Sequence, residues 1–163
     1  MGLLKVLAKL TGDEALDEGG EDVINQLFDF TINYRKLLPD ANPAATTTDL
    51  LIWTNPFDCN VKLVSGRVVA IGAGVAPNAT DYAKISFKTD DANASVPLEA
   101  LSITTTPIDS GPLASLISKL LSKLTPSAAV LVPGANLYLD IAKLGAGVVI
   151  PQALFTLRLR KQG

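Results

Sequence analysis

The chain has 163 residues, of which 48% are hydrophobic and 18% charged, with a formal net charge of −2. This excludes intrinsic disorder, which needs low hydrophobicity and high net charge, and the length fits one domain rather than two. Histidine is absent, which removes Ser-His and Cys-His catalysis and histidine-ligated zinc. The single cysteine, Cys59, excludes an intrachain disulfide and a cysteine-built metal cluster.

At the N-terminus, Leu3, Val6, Leu7 and Leu10 recur at i, i+3, i+4 and i+7, with Lys5 and Lys9 on another face. This is an amphipathic helical stripe, too short to be stable alone in water, so it needs a surface to pack against. The two lysines also break the apolar run that a signal peptide would need, so synthesis in a reducing cytosol is expected, with delivery by assembly rather than export. Asp13, Glu14, Asp17, Glu18, Glu21 and Asp22 follow, around Gly19-Gly20, and read as a flexible acidic linker. Residues 1–22 therefore form an arm, and residues 23–163 a body. Six acids against two lysines make the arm negative, and the body keeps twelve bases against ten acids.

The body reads as strands. Apolar and polar residues alternate around Phe28–Arg35, Tyr82–Lys88, Asn136–Ile141 and Leu154–Arg160, the period of two of a strand with one buried face. Leu50-Leu51-Ile52-Trp53 is apolar throughout, as in a strand covered on both sides. Val61–Ile71 predicts a long strand broken or bulged at Gly66, with weaker candidates over Val96–Thr105 and Ala128–Val132. Turn residues punctuate these runs at Asn55-Pro56, Pro77-Asn78, Asp90-Asp91, Pro133-Gly134 and Gly145-Ala146-Gly147. The pattern predicts an all-β, jelly-roll-like β-sandwich of about eight strands. One segment departs from it: Leu113, Leu116, Ile117, Leu120, Leu121 and Leu124 have helical spacing, with Pro112 suited to a first turn and Pro126 to a stop. A helix near 112–124 is expected, covering an open end of the sandwich or packing on a symmetry mate.

Motifs that carry chemistry are weak. Gly72-Ala73-Gly74 and Gly145-Ala146-Gly147 lack the third glycine of a dinucleotide loop and the Gly-Lys-Ser/Thr of a phosphate loop, so both read as turns. Asn78-Ala79-Thr80 and Asn93-Ala94-Ser95 match the glycosylation pattern and read as turn chemistry without a secretion signal. Asp90-Asp91-Ala92-Asn93 offers oxygen ligands without the spacing of a calcium loop. No Gly-x-Ser-x-Gly elbow occurs, and Cys59 reads as a small apolar residue. Arg158-Leu159-Arg160-Lys161 reads either as a basic strand that meets an acidic surface or as a charge-guarded edge. No catalytic, cofactor or metal site is expected, no segment has the apolar length of a transmembrane helix, and the charge gives no case for nucleic acid.

The stretch Ala129-Val130-Leu131-Val132-Pro133-Gly134-Ala135-Asn136-Leu137-Tyr138-Leu139-Asp140-Ile141, continuing through Gly145-Ala146-Gly147-Val148-Val149-Ile150-Pro151 into Ala153–Leu157, resembles the small β-sandwich head-decoration proteins (capsid cement or head-fibre base) of tailed bacteriophages. Asn55–Leu63 is similar to their early strand. The resemblance implies a non-enzymatic virion protein at the capsid surface, often trimeric, seated on the major capsid protein and assembled in the host cytoplasm. Within that expectation the arm docks through Leu3, Val6, Leu7 and Leu10 on a capsid subunit or a neighbour. The alternative is a carbohydrate- or receptor-binding β-sandwich of a fibre or adhesin, for which an exposed aromatic cluster around Trp53 and Phe57 would be the sign.

Overall fold

The computed structural model describes residues 29–37, 42–90, 97–107, 113, 115–121 and 123–162. The docking residues Leu3, Val6, Leu7 and Leu10, the acidic linker and the boundary between residues 22 and 23 lie outside these. Among the described residues ten strands form, in chain order β1 (Asp29–Lys36), β2 (Thr47–Thr54), β3 (Val61–Ile71), β4 (Tyr82–Thr89), β5 (Leu98–Thr104), β6 (Ser118–Leu120), β7 (Lys123–Leu124), β8 (Val130–Leu131), β9 (Asn136–Leu144) and β10 (Gln152–Lys161). A 3-10 turn, Pro126–Ala128, precedes β8.

All strand pairings are antiparallel, in two sheets. The first runs β1-β10-β3, with β6 and β8 placed end to end along the remaining edge of β3. The second runs β2-β9-β4-β5-β7. The chain changes sheet at most connections, so neither sheet forms from one stretch of sequence. The inward residues of both sheets join one cluster: Leu63, Val68, Phe155 and Leu157 on one side, Ile85, Phe87, Ile103 and Leu139 on the other. Phe87 and Phe155 meet edge to face across the layers, with ring centroids 5.6 Å apart. The fold is therefore all-β and β-sandwich-like. The period-two readings hold for β4, β9 and β10, where alternate residues are buried, and for β1, where half-buried residues alternate with exposed ones.

Three expectations fail. Among the described residues of 112–124 no helix forms: Leu113 bridges Val75, Ser115 bridges Ala70, Leu116 adopts φ +58°, and β6 and β7 follow. The reason is tertiary. β3 needs a partner along its free edge, and Leu116 N–H to the Ala70 carbonyl (2.9 Å) and Leu121 N–H to the Gly66 carbonyl (2.9 Å) supply it. Second, Leu50-Leu51-Ile52-Trp53 is not covered on both sides. β2 is the outermost strand of its sheet, and Leu50 and Leu51 are exposed. Third, β3 runs unbroken through Gly66, and its register shift against β10 falls between Arg158 and Leu159, opposite Val64.

Gly66 has a different task. A Cβ there would lie 2.6 Å from Leu101 Cδ2 and 2.8 Å from Leu157 Cδ2, so the glycine lets side chains of both sheets close over the β3 backbone. Gly66→Ala is expected to cost about 1–3 kcal/mol, the range for overpacking a filled core. Equilibrium urea unfolding checks this, and an unchanged midpoint would contradict the close approach.

Candidate functional site

Within the described body, four of the exposed large apolar residues lie on the edge where a helix is expected from the sequence. Leu113 and Leu121 are buried and pin this segment to the core. Between and beyond them, Leu116 is 72% exposed, Ile117 56%, Leu120 51% and Leu124 39%. The arrangement follows from the two pairings. β6 closes the edge of one sheet, with Leu120 opposite Arg67, and β7 closes the edge of the other, with Leu124 opposite Leu101. One short segment thus seals the same side of both layers and leaves its remaining large side chains outside. Lys119 and Lys123 lie in this segment, and the Arg67 guanidinium reaches the Ser118 hydroxyl at 3.5 Å. The edge is apolar with basic residues around it.

The opposite side of the sandwich, between β1 and β2, is closed by aromatics. Phe30 lies 5.9 Å from Trp53 and 5.5 Å from Phe57, and Lys161 Nζ sits 3.5 Å over the Phe57 ring. All three rings are half-buried and pack on the core. They close the open side between β1 and β2, and Lys161 covers one ring face that a sugar would need.

The basic strand near the C-terminus also has internal partners. β10 is an inner strand, between β1 and β3, rather than a guarded edge. Asp29 accepts from Arg158 Nε and Arg160 Nε, each at 2.7 Å. The hydrogen bond from Arg160 foremost, with that from Arg158, outweighs burial and holds the Asp29 carboxyl below the usual carboxylate range. A depressed folded-state pKa stabilises above the unfolded pKa near 4 and is lost as pH falls through the lowered value. Asp29→Asn is therefore expected to cost about 1–2 kcal/mol at pH 7. The gap from wild type should close toward pH 2, as followed by urea unfolding at the two pH values.

The outer face of the β2-β9-β4-β5-β7 sheet carries a polar lattice. Glu99 pairs with Lys84 at 2.5 Å and accepts from Ser102 at 2.8 Å and Ser86 at 3.1 Å. Burial acts to raise its carboxyl, but these partners prevail and hold it low. Lys88 lies between Asp49 at 3.0 Å and Asp140 at 3.1 Å. Burial would lower its ammonium, and the two carboxylates outweigh that and raise it. Asp90 accepts from Asn136 N–H at 2.6 Å and from the Tyr138 hydroxyl at 2.9 Å, and this hydrogen bond raises the tyrosine. Ser86 and Ser102 are buried and donate to Glu99, an arrangement that braces the sheet rather than presenting a nucleophile. Asp90 spends its oxygens on the start of β9, while Asp91, Ala92 and Asn93 lie outside the described residues.

The other motifs are turns. Asn78 Oδ1 accepts from the N–H groups of Thr80 and Asp81 at 2.9 and 3.1 Å. Gly145 and Gly147 adopt φ +65° and +74° beside Thr80 and Pro43 backbone, where a side chain would collide. Gly72-Ala73-Gly74 lines one wall of a shallow apolar groove of about 460 Å³ with Val149, Pro151 and Gln152. Cys59 is half-buried, and its carbonyl accepts from Asn55. Among the described residues no three His, Cys, Asp or Glu side chains gather as a metal-holding group, and no helix is long and apolar enough to cross a membrane.

The exposed edge was hidden from sequence reasoning because its leucines have helical spacing, and helical spacing points to a buried stripe. The available signal was the crowding of leucines with serines and lysines between prolines, which marks the segment without stating its conformation. Compared with known proteins, the chain matches no protein-family model and no curated protein.

Proposed function

We propose that this chain is a structural virion protein that decorates or cements a tailed-phage capsid through buried subunit contacts, and is not an enzyme. The observation that carries the reading is the row Leu116, Ile117, Leu120 and Leu124 on the free edge of both sheets. Exposed large side chains are normal singly, whereas four within nine residues of one edge segment, among basic and polar residues, favour an interaction surface. Burying them is worth about 1.5–3 kcal/mol each, gross of ordering costs. A second support is the strand order. With β6 and β8 counted as one interrupted strand, the order β1-β10-β3-(β6/β8) facing β2-β9-β4-β5 supports a jelly-roll reading, an architecture shared by many capsid and lectin domains.

In this reading the partners are the major capsid protein and further copies of the chain, with a trimer favoured. Neither nucleic acid nor membrane takes part, and the protein resides on the capsid surface after assembly in the host cytoplasm. The arm docks through Leu3, Val6, Leu7 and Leu10 on a capsid subunit or on a neighbouring copy. Leu7→Asp is expected to reduce co-sedimentation with purified capsids at least tenfold while leaving the unfolding midpoint of the body unchanged. Undiminished particle binding by that variant would reject the arm-docking model, and no binding by the wild-type chain would reject decoration.

The fibre or adhesin alternative is less well supported, because Phe30, Trp53 and Phe57 pack on one another and on the core.

A further inference from the structure

We infer that the β6/β7 edge is the receiving surface for residues 1–22 of a second copy of this chain, so that subunits join head to tail by arm exchange. This deepens the reading of the chain as an assembly subunit and rests on it.

Three observations carry the inference. The first is chemical match. The edge offers Leu116, Ile117, Leu120 and Leu124 with Arg67, Lys119 and Lys123 around them. The arm offers Leu3, Val6, Leu7 and Leu10 followed by six acids, with Lys5 and Lys9 its only bases. Apolar meets apolar and acidic meets basic, and the sign of the pairing is set by sequence rather than by chance contact. Two copies of the edge facing each other would instead oppose basic residues.

The second is position. The described chain begins at Asp29, the start of β1, and β1 is the outermost strand of its sheet on the side opposite β6. The arm therefore joins the body at one edge, while the receiving surface lies at the other, three strand spacings or roughly 14 Å away. A contact between unlike edges is heterologous, and repeated by rotation it closes into a ring. With a three-fold closing rotation this contact forms a trimer without a separate self-complementary patch.

The third is reach. Residues 11–28 span up to about 60 Å when extended, ample to bring the stripe from β1 of one copy to the facing edge of the next.

The test uses full-length chains and sedimentation equilibrium. The wild type is expected to show the mass of a closed oligomer. Leu7→Asp, which spoils the donor, and Ile117→Asp/Leu120→Asp, which spoils the receiver, are each expected to sediment as monomers. Mixed in equal amounts they should form one-to-one pairs and nothing larger, because the receiver variant still donates and the donor variant still receives. Ile117 and Leu120 are more than half exposed, so folding should survive, and matching circular dichroism spectra check this. Lys119→Glu provides a second, milder probe. It should weaken assembly several-fold at low salt, with the deficit shrinking at high salt.

A Leu7→Asp chain that keeps the wild-type mass would overturn the inference in favour of contacts without the arm. A mixture that stays monomeric would overturn it as well. A monomeric wild type whose arm residues 1–22 are protected from protease, and lose that protection in Ile117→Asp/Leu120→Asp, would show docking within one chain and overturn exchange. All of these outcomes are read without capsids, so failure here leaves the particle-binding test of decoration standing on its own.

Discussion

Phe155→Ala is expected to lower the unfolding free energy by about 3–5 kcal/mol, the range for truncating a buried phenylalanine. Phe155 is fully buried on β10, an inner strand, and faces the other sheet. Its ring meets Phe87 at 5.6 Å and 76° and stacks near Tyr34, its cross-strand neighbour on β1, at 6.2 Å. The alanine leaves a cavity between two sheets whose backbones are held by ladders on both sides, so the site collapses poorly. A domain of this size has only about 5–15 kcal/mol in total, so the variant stands close to its stability limit. Urea unfolding should show a much lower midpoint at unchanged slope. Phe155→Leu, which keeps most of the volume, should recover over half of the loss. A loss under about 1 kcal/mol for the alanine would contradict the placement of this ring at the centre of the sandwich.

The second large effect belongs to Asn55, a polar side chain buried to 2% exposure in the loop between β2 and β3. Its Nδ2 donates toward the carbonyls of Cys59 at 3.0 Å, Leu131 at 3.1 Å and Val132 at 3.0 Å, and its Oδ1 accepts from Phe57 N–H at 3.1 Å. Its own N–H donates to the Ala135 carbonyl, and its carbonyl accepts from Gly134 N–H. One residue thus ties the β2–β3 loop to the β8–β9 turn. Asn55→Ala strands several buried carbonyls and is expected to cost about 3 kcal/mol, since each unsatisfied buried group costs about 1–3 kcal/mol.

Asn55→Asp separates hydrogen bonding from shape. A carboxylate facing three carbonyls is disfavoured in its charged form, so its folded-state pKa lies above the unfolded value near 4. The penalty is then greatest at neutral pH and fades as pH falls below the unfolded pKa, where both states hold the proton. Aspartate should be worse than alanine at pH 7 and approach wild type near pH 4. This trend is opposite in sign to that of the Asp29 pair, whose contribution fades in acid. A pH-independent deficit for Asn55→Asp would rule out the carbonyl cage.

Much of this was readable from residue order. The alternation in β1, β4, β9 and β10 named the inward residues, including Phe155, because a strand places every second side chain on one face. Pro133-Gly134 and Gly145–Gly147 were read as turns, and Gly134, Gly145 and Gly147 do adopt positive φ there. Asn55-Pro56 reads as a turn, but the role of Asn55 as a hub is not legible, because Leu131 and Val132, which make it one, lie about 76 residues away. Leu50-Leu51-Ile52-Trp53 reads correctly as a strand but lies at an edge, since an apolar run states that a strand exists and not how many neighbours it has.

The candidate site shows the same division more sharply. The stripe Leu3, Val6, Leu7 and Leu10 could be named from spacing alone. The edge proposed to receive it could not, because Leu113 to Leu124 carry a helical period that the fold overrides. By itself, residue order determined the all-β class, the alternating inner faces, the turn positions and the lack of histidine chemistry. Each of these depends on local geometry or on composition. Tertiary structure alone decided which strands are edges, which sheet each joins, and that Ser115–Leu121 runs along β3 while Lys123–Leu124 pairs with β5. Those outcomes turn on backbone groups that must find partners far away in the chain, and local periodicity carries no record of that demand.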